Sequence, residues 1–299
     1  MSVTDPTTAI GFIGTGRMGT PMAGHLLAAD VPIVVHDARV EATRTLVERG
    51  AVLAASPAAV AEQARTIVTI VPSSREVEAV YAALLPRLGP GHLMVEMTSA
   101  DPASTRRLAS QVAARGAAMI DAPVSGGVKG AVEGTLSIMV GGAAADLARA
   151  RPLLGRMGKR IFHVGAIGAG HAMKLVNNMT SAACLVATAE ALAVAVREGI
   201  DPARAADILS ASSGRSNASE LKFPRYILPG TFDSGFTITL MTKDIDGFMR
   251  LAEDAGVEAP VARAAAEYFR RAMRGPLAAE DHTAIARVLG FGGREGAER

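Results

Sequence analysis

The sequence predicts an α/β domain followed by an all-α domain, with one long helix joining the two. Up to about residue 165, short runs of β-branched residues alternate with amphipathic stretches. Such alternation is typical of strands and crossover helices in a mainly parallel sheet. Beyond residue 165 the strand signal fades, and residues 169–197 form one helical pattern closed by Gly199. We therefore expect one domain over residues 1–165 and a second over residues 166–299, with the joining helix at about 169–197.

The individual elements follow from this periodicity. Strands are predicted at residues 9–13, 33–36, 66–71, 93–97, 117–120, 136–140 and 161–164. Helices are predicted at 18–29, 40–49, 77–85 and 102–115, and in the second domain at 203–212, 216–226, 241–255, 261–273 and 282–289. The helix at 102–115 has the clearest start, because Asp101 can cap it and Pro102 suits its first position.

The composition excludes several classes of protein. With 31 Lys and Arg against 29 Asp and Glu, the net charge of +2 gives no one-sided field for nucleic acid or an anionic membrane. Cys184 is the sole cysteine, which excludes a disulfide framework, an iron–sulfur cluster and a multi-cysteine zinc site. The six histidines lack metal-ligand spacing, so no metal is expected. No signal-peptide pattern opens the sequence and the apolar stretch 182–196 is short for a membrane span, so we expect a cytoplasmic protein with no membrane partner.

A glycine-rich motif follows the first predicted strand and opens the first predicted helix. Its six residues are Gly14, Thr15, Gly16, Arg17, Met18 and Gly19. In a Rossmann-type domain, Gly14 would permit the tight turn, Gly16 would let the backbone approach a pyrophosphate, and Gly19 would let the helix pack on the strand. A glycine-rich turn without a cofactor is the alternative.

Asp37 gives the motif a second feature of a dinucleotide site. It ends the second predicted strand, 18 residues after Gly19, where a carboxylate accepts hydrogen bonds from the adenosine ribose. A 2′-phosphate would meet a like charge there, which favours NAD over NADP. Arg39 lies two residues further on and could reach a phosphate, so NADP remains the alternative.

The start of the long helix carries a polar cluster in an otherwise apolar segment. Asn177 and Asn178 follow Lys174 by three and four residues, which places all three on one helix face. A Lys held by an Asn can deliver a proton to a carbonyl oxygen during hydride attack. A solvated surface Lys is the competing interpretation. Separately, the loop Ser125, Gly126 and Gly127 could present a hydroxyl and successive N–H groups to a carboxylate, unless it is an ordinary turn.

Taken together, these segments resemble the β-hydroxyacid dehydrogenase family. The opening GFIGTGRMGTPMAGHLL is similar to the family's cofactor motif, with Thr15 where Leu is usual. The block DAPVSGGVKGAVEGTLSIMVGG at 121–142 is similar to its substrate-binding segment. GAGHAMKLVNNM is similar to its catalytic helix, and GFTITLMTKDI at 235–245 to its cofactor-side segment. The resemblance runs from Ile10 to about Leu289.

The resemblance implies specific roles. Lys174 would be the proton donor, and Asn178, with Asn177 as the fallback, would orient Lys174 or the substrate. The Ser125 loop would bind the substrate carboxylate. The cofactor would also meet four residues outside the glycine motif, which are Val71, Pro72, Ser99 and Lys243. The family also forms dimers or tetramers through apolar helices, so a homodimer or homotetramer is expected.

We therefore expect NAD-dependent, reversible oxidation of a small 3-hydroxy carboxylate to its semialdehyde. Segments 212–219 and 235–245 resemble the 3-hydroxyisobutyrate dehydrogenases of the family more than its tartronate semialdehyde reductases, which supply the alternative activity. A catalytically idle dinucleotide-binding protein is a more remote alternative. Arg215, in a polar island of the Ala-rich second domain, could pair with a substrate carboxylate or lie in a solvated turn.

Overall fold

The computed structural model describes residues 9–291 of the chain. They form two compact units that divide between Lys174 and Leu175. The division falls inside the helix that we predicted to join the domains, which is observed at Ala169–Arg197. The first turns of this helix therefore belong to the first unit and the remainder to the second.

The first unit is built on a nine-stranded sheet. The strands are β1 (Ile10–Ile13), β2 (Ile33–His36), β3 (Val52–Leu53), β4 (Thr66–Thr69), β5 (Leu93–Glu96), β6 (Ala118–Asp121), β7 (Val124–Ser125), β8 (Leu136–Gly141) and β9 (Gly158–Gly165). Their order is β3-β2-β1-β4-β5-β6-β8-β7, and β9 pairs with β8. Strands β1 to β6 pair in parallel, whereas β8 runs antiparallel to β6 and β7. This confirms the predicted Rossmann-type sheet.

Helices cover both faces of this sheet. They are α1 (Gly19–Leu27), α2 (Arg44–Glu48), α3 (Pro57–Gln63), α4 (Ser74–Leu84), α5 (Pro102–Ala113), α6 (Gly127–Glu133) and α7 (Ala144–Met157). Alternate residues of one strand enter opposite cores: Phe12 packs in the same core as Met22 of α1, and Ile13 in the same core as Val60 of α3. Burying one such side chain contributes roughly 1.5–3 kcal/mol, so the two apolar layers fix the strand register.

The second unit is helical. Its elements are α8 (Ala169–Arg197), which it shares with the first unit, α9 (Pro202–Ala211), a π-helix (Ala218–Ile227), α10 (Ile238–Asp254), α11 (Pro260–Met273) and two 3₁₀ segments (Pro276–Ala279 and His282–Leu289). Its core includes Leu185 of α8, Phe223 of the π-helix and Phe269 of α11. Helix α8 is the one described helix long and apolar enough to cross a membrane by length and composition, a test that core helices of soluble proteins also pass.

Three predicted helices were wrong in type. The helix predicted at 40–49 is a 3₁₀ turn (Val40–Thr43) followed by α2. The helix predicted at 216–226 is the π-helix, in which Pro224 removes one backbone donor. The helix predicted at 282–289 is 3₁₀. Apolar periodicity does not separate these helix types.

Six of the elements given above were not predicted at all: β3, β7, α3, α6, α7 and the 3₁₀ segment Pro276–Ala279. Strands β3 and β7 have two residues each, too few to show alternation. Helix α7 carries Pro152 in its interior, a residue that normally ends a helical pattern.

Candidate active site

The glycine motif forms a tight turn between β1 and α1. Gly14 has φ +95°, and a Cβ there would lie 2.0 Å from the carbonyl oxygen of Ile70. A Cβ on Gly19 would lie 1.9 Å from the carbonyl oxygen of Gly14. Gly16 faces open space, with no atom within 4 Å of an added Cβ. The motif therefore combines two positions closed by packing with one left open for a ligand to approach.

Asp37 is tied to this turn. Its Oδ2 accepts a hydrogen bond from the Thr15 N–H at 2.8 Å, and its Oδ1 accepts one from the Arg39 N–H at 2.9 Å. A cavity of about 680 Å³ adjoins the turn and is lined by Thr15, Gly16, Arg17 and Arg39, among others. The open Gly16, the carboxylate at the strand end and the basic lining fit the adenosine-diphosphate half of a dinucleotide.

The next two strands, β4 and β5, end beside this turn. Val71 and Pro72 follow β4, and Ser99 follows β5. Val71 and Ser99 are half-buried and Pro72 is exposed. The Val71 N–H donates to the Thr98 hydroxyl at 3.0 Å, so the two strand exits are joined directly.

A row of buried polar side chains closes the same edge of the sheet. Thr69, Glu96 and Asp121 end β4, β5 and β6, and are neighbours by register. Glu96 accepts from the Thr69 hydroxyl and, at 2.8 Å, from the Thr98 N–H. Burial raises the pKa of Glu96 to about 7, against the lowering effect of these two donors.

Asp121 anchors the start of α8. Its Oδ1 accepts from the Gly168 N–H and its Oδ2 from the His171 N–H, both at 2.7 Å. His171 is fully buried and its Nδ1 lies 2.7 Å from the Thr105 hydroxyl. The end of β6 thereby fixes the helix that carries Lys174, whose side chain is buried in the described structure.

The predicted carboxylate-binding loop follows β6. Ser125 pairs with Ser137 of β8, and the chain then turns through Gly126 at φ +131° and Gly127 at φ +62°. Side chains rarely adopt these angles, so both positions favour glycine. Successive backbone N–H groups in a turn can form a concavity that binds an anion, the role that the sequence predicts for this loop.

In the second unit, the two asparagines of α8 lead to an acid that we did not predict. The Asn178 amide donates to Asp244 Oδ2 at 2.6 Å, and the Asn177 amide donates to Asn178 Oδ1 at 3.1 Å. Lys243 Nζ lies 3.2 Å from the other oxygen of Asp244. Asp244 is fully buried and joins two of the residues that the resemblance assigned to the site, Asn178 and Lys243.

Arg215 stands apart from this network. Its side chain is 66 % exposed and its Nε lies 3.6 Å from Glu220 Oε1. An exposed pair of this kind contributes little to stability. The structure brings Arg215 together with none of the other predicted site residues through any described hydrogen bond or ion pair within residues 9–291.

Three polar residues of the site escaped the sequence reasoning: Glu96, Asp121 and Asp244. Each has a signal in retrospect, because two are carboxylates at the ends of apolar strands and Asp244 directly follows Lys243. Among residues 9–291 no three His, Cys, Asp or Glu side chains are grouped so as to hold a metal ion.

Comparison with known proteins places both halves of the chain. Residues 9–165 match the family described as the NAD binding domain of 6-phosphogluconate dehydrogenase. Residues 168–289 match the family described as NAD-binding of NADP-dependent 3-hydroxyisobutyrate dehydrogenase. Both matches confirm the resemblance inferred from the sequence motifs.

Individual relatives agree with these matches. The mitochondrial 3-hydroxyisobutyrate dehydrogenase of Rattus norvegicus is 39 % identical over 83 % of this chain and 76 % of its own. The 2-(hydroxymethyl)glutarate dehydrogenase of Eubacterium barkeri is 37 % identical over 93 % of this chain and 94 % of its own. A structure of Mycobacterium tuberculosis 3-hydroxyisobutyrate dehydrogenase with L-serine has a TM-score of 0.88 and 33 % identity, covering 95 % of this chain and 99 % of that one. The chain therefore belongs to the family of 3-hydroxyisobutyrate dehydrogenases and related hydroxyacid dehydrogenases, enzymes that act on a CH–OH group with NAD or NADP.

Proposed function

We propose that this enzyme oxidises a small 3-hydroxy carboxylate to its semialdehyde, reversibly and with NAD. One observation carries the proposal. Lys174 is buried on a helix whose start is fixed by Asp121, in the same compact unit as the glycine turn and the Ser125 loop. A proton carrier, a nucleotide site and an anion-binding loop in one unit are the parts that such a reaction needs.

The cofactor choice rests on Asp37. Its carboxylate, held by the Thr15 and Arg39 backbone N–H groups, retains lone pairs for the ribose hydroxyls. A 2′-phosphate would place a second negative charge beside it, so NAD binds better than NADP. Arg17 and Arg39 line the adjoining cavity and supply positive charge for the pyrophosphate or, as the alternative, for NADP. By the family resemblance, Val71, Pro72, Ser99 and Lys243 complete the cofactor site.

Ser125, Gly126 and Gly127 hold the substrate carboxylate through the Ser125 hydroxyl and the backbone N–H groups of the turn. Binding at this loop orients the substrate, and Lys174 Nζ hydrogen-bonds its hydroxyl oxygen. Lys174 takes the hydroxyl proton as a general base in oxidation and returns it as a general acid in reduction. When bound, the nicotinamide accepts the hydride from the carbon that carries this hydroxyl.

Asn178 acts on Lys174 or on the substrate. It follows Lys174 by four residues, so both lie on one face of α8. Its amide N–H donates to the buried Asp244, and this bond sets the direction of its amide oxygen. That oxygen accepts a hydrogen bond from the Asn177 amide. Asn178 is therefore the residue of this pair whose orientation is fixed, and Asn177 supports it.

The substrate class follows from what the relatives' names have in common. 3-Hydroxyisobutyrate, L-serine and 2-(hydroxymethyl)glutarate all carry a CH2OH group on the carbon next to a carboxylate. We infer that this chain accepts the same unit, with 3-hydroxyisobutyrate as the first candidate. Reduction of tartronate semialdehyde, the second candidate, gives glycerate, which differs only in carrying a hydroxyl on that carbon.

Arg215 would act on substrate choice. Its Glu220 partner is 3.6 Å away and exposed, so a substrate anion can compete for the guanidinium. Arg215→Lys keeps the charge but loses the planar fork, and we expect a changed KM pattern across hydroxy acids with unchanged NADH affinity. The exposed Arg263 provides a matched control in Arg263→Lys. Unchanged kinetics across the panel would show that Arg215 lies in a solvated turn and has no role in substrate choice.

The proposal extends to assembly and location. Val176, Val194 and Val196 of α8 are 39–62 % exposed, an apolar face that a second copy of the chain would cover in a homodimer or homotetramer. We expect a cytoplasmic enzyme whose partner is a small hydroxy acid, with neither nucleic acid nor membrane bound. Light scattering coupled to size exclusion tests the assembly.

A substrate panel tests the function. NADH formation is measured at alkaline pH with 3-hydroxyisobutyrate, L-serine, glycerate and 2-hydroxy acids, each with NAD and with NADP. We expect turnover of acids with the CH2OH unit, and a loss of about ten- to a hundredfold in kcat/KM when the carboxylate is replaced by its amide. Equal rates for acid and amide would contradict the role of the Ser125 loop. NADH binding without turnover of any panel member would favour the idle dinucleotide-binding protein.

A further inference from the structure

Few backbone N–H groups are available to fix the chain where it leaves β4. The sheet ladder continues as far as Ile70, whose N–H donates to the Ile13 carbonyl at 2.9 Å. Pro72 has no N–H, so the Val71 N–H is the last backbone donor before Ser73. The Val71 N–H donates to the Thr98 hydroxyl at 3.0 Å and not to a backbone carbonyl of the neighbouring strand. One side chain thus fixes the point where the chain leaves the sheet.

Thr98 is itself fixed by the buried side chain of Glu96. Its N–H donates to Glu96 Oε1 at 2.8 Å, and the other oxygen of Glu96 accepts from the Thr69 hydroxyl. Thr98 and Glu96 are at most 1 % exposed, so neither bond is exchanged readily with water. The three residues form a clasp, Thr69–Glu96–Thr98, that ties the end of β4 to the exit of β5.

The clasp lies beside residues that the family resemblance assigns to the nicotinamide half of the cofactor. The residues that it joins are Val71 on one exit and, adjacent to Thr98, Ser99 on the other. Ile70, immediately before Val71, lies against the glycine turn, because its carbonyl oxygen would be 2.0 Å from a Cβ on Gly14. The ladder bond from the Ile70 N–H to the Ile13 carbonyl holds Ile70 in place. A shift that begins at Val71 would therefore change the nicotinamide-lining segment and leave the glycine turn and Asp37 where they are.

We propose that Thr98, held by Glu96, is a positioning residue for the nicotinamide half of the cofactor, fixing Val71–Pro72 through its hydroxyl. The proposal rests on the proposed dinucleotide-dependent function and assigns a residue that the family resemblance does not. Thr98 acts through Val71 and is not a catalytic residue.

The test compares Thr98→Val with Thr98→Ser. Valine has the shape of threonine without the acceptor, and serine restores the acceptor. Binding of NADH and of ADP-ribose, which lacks the nicotinamide, is measured for each variant; the chain has no Trp to interfere with NADH fluorescence. We expect Thr98→Val to raise the NADH Kd about tenfold and leave the ADP-ribose Kd unchanged within about twofold, as loss of one buried acceptor predicts. We also expect kcat to fall by about tenfold or more, and Thr98→Ser to restore both.

Thr188→Val, at a buried threonine of α8, is the matched control and should change none of these values. If Thr98→Val does not fold, Thr98→Ala removes the same acceptor without the added methyl group and carries the same predictions. Equal changes in NADH and ADP-ribose affinity, or no change in either, would overturn the role of Thr98. A wild-type chain that fails to bind NADH would instead overturn the proposed function, and this inference with it.

Discussion

The two units hold their site residues by different means. In the first unit the glycine turn, Asp37 and the β4 and β5 exits are placed by sheet register and by bonds that involve the backbone, such as Thr15 N–H to Asp37. In the second unit Asn178 and Lys243 lie on different helices and are placed by one side chain, the buried Asp244. Backbone geometry thus fixes the cofactor half of the site, and side-chain contacts fix the asparagines.

This difference has a consequence for mutations. Most side-chain substitutions in the first unit leave the glycine turn and the strands in place, because the ladder holds them; Thr98, which alone holds the Val71 N–H, is the exception. Removing one charge in the second unit leaves two partners without their common anchor. We expect variants at the glycine turn and in the sheet to change cofactor affinity or stability, and variants of α8 and its network, Lys174 included, to change turnover chiefly.

Lys174→Ala should show the largest effect, because it removes the proposed proton carrier while leaving the nucleotide site intact. We expect kcat to fall by about 100- to 10,000-fold with little change in the NADH Kd, measured by fluorescence titration. Lys159→Ala, at an exposed lysine of the first unit, is the control. Retention of more than about half of the wild-type turnover would remove Lys174 from the mechanism.

Glu96→Gln tests whether burial raises the pKa of Glu96 at the end of β5. The pKa of Glu96 is about 7 in the folded protein against 4.5 ordinarily, chiefly because of burial, with the nearby Asp121 carboxylate adding to the rise. The folded state binds the extra proton, so Glu96 contributes stability below about pH 4.5 that is lost as the pH rises to 7 and above. The total is about 3 kcal/mol.

Since Gln does not titrate, the free energy of unfolding of Glu96→Gln relative to wild type should rise by about 3 kcal/mol between pH 4.5 and 8. Urea unfolding at several pH values measures it, with the exposed Glu198→Gln as the control. Tyr81, a further buried titratable group near Glu96, has a pKa well above its usual value and stays neutral in this range. A difference that is constant with pH would contradict the assignment.

Asp244→Asn should have the next largest effect. It removes the charge at the centre of the second-unit network and keeps the volume of the side chain. Its bonds to Asn178 and Lys243 are charge-assisted, so we expect kcat to fall by about ten- to a hundredfold. Asp254→Asn, on the exposed end of the same helix, is the matched control. Turnover within about twofold of wild type would show that the asparagines of α8 do not need a common anchor.

Asp37→Ala should have the smallest effect of the four and a distinct character. Losing the ribose acceptor lowers kcat/KM for NAD by about tenfold, while relief of repulsion raises that for NADP relative to it. The ratio of the two values is the measurement, and Asp207→Ala at an exposed position is the control. A wild-type enzyme that already prefers NADP would show that Arg39 outweighs Asp37.

The sequence predicted the parts of the fold that repeat. Runs of β-branched residues identified the long strands, and the glycine motif with Asp37 predicted the nucleotide site that we propose. The pairing of β1 with β2 and β4 was not predicted residue by residue, and burial of both faces fixes it in the structure. The cofactor half of the site is readable because local spacing determines where these residues lie.

The remaining parts depend on contacts between distant residues. Asp244 and Asn178 are 66 positions apart and meet because two helices pack, which no local pattern records. Asp121, at the end of β6, accepts from Gly168 just before α8 across 47 positions, a contact that local spacing does not record either. Helix α7 was lost because Pro152 conflicts with helix propensity, although packing of Leu147, Leu154 and Met157 outweighs that conflict.

The most direct test of the account follows one atom. Wild-type enzyme is incubated with NAD and 3-hydroxyisobutyrate that carries deuterium in place of both hydrogens on its CH2OH carbon, and the reduced cofactor is analysed by mass spectrometry. The account predicts reduced cofactor with one deuterium at the nicotinamide C4 and a semialdehyde that retains the other. Unlabelled reduced cofactor, or none, would contradict transfer of a hydride from the carbon that bears the hydroxyl.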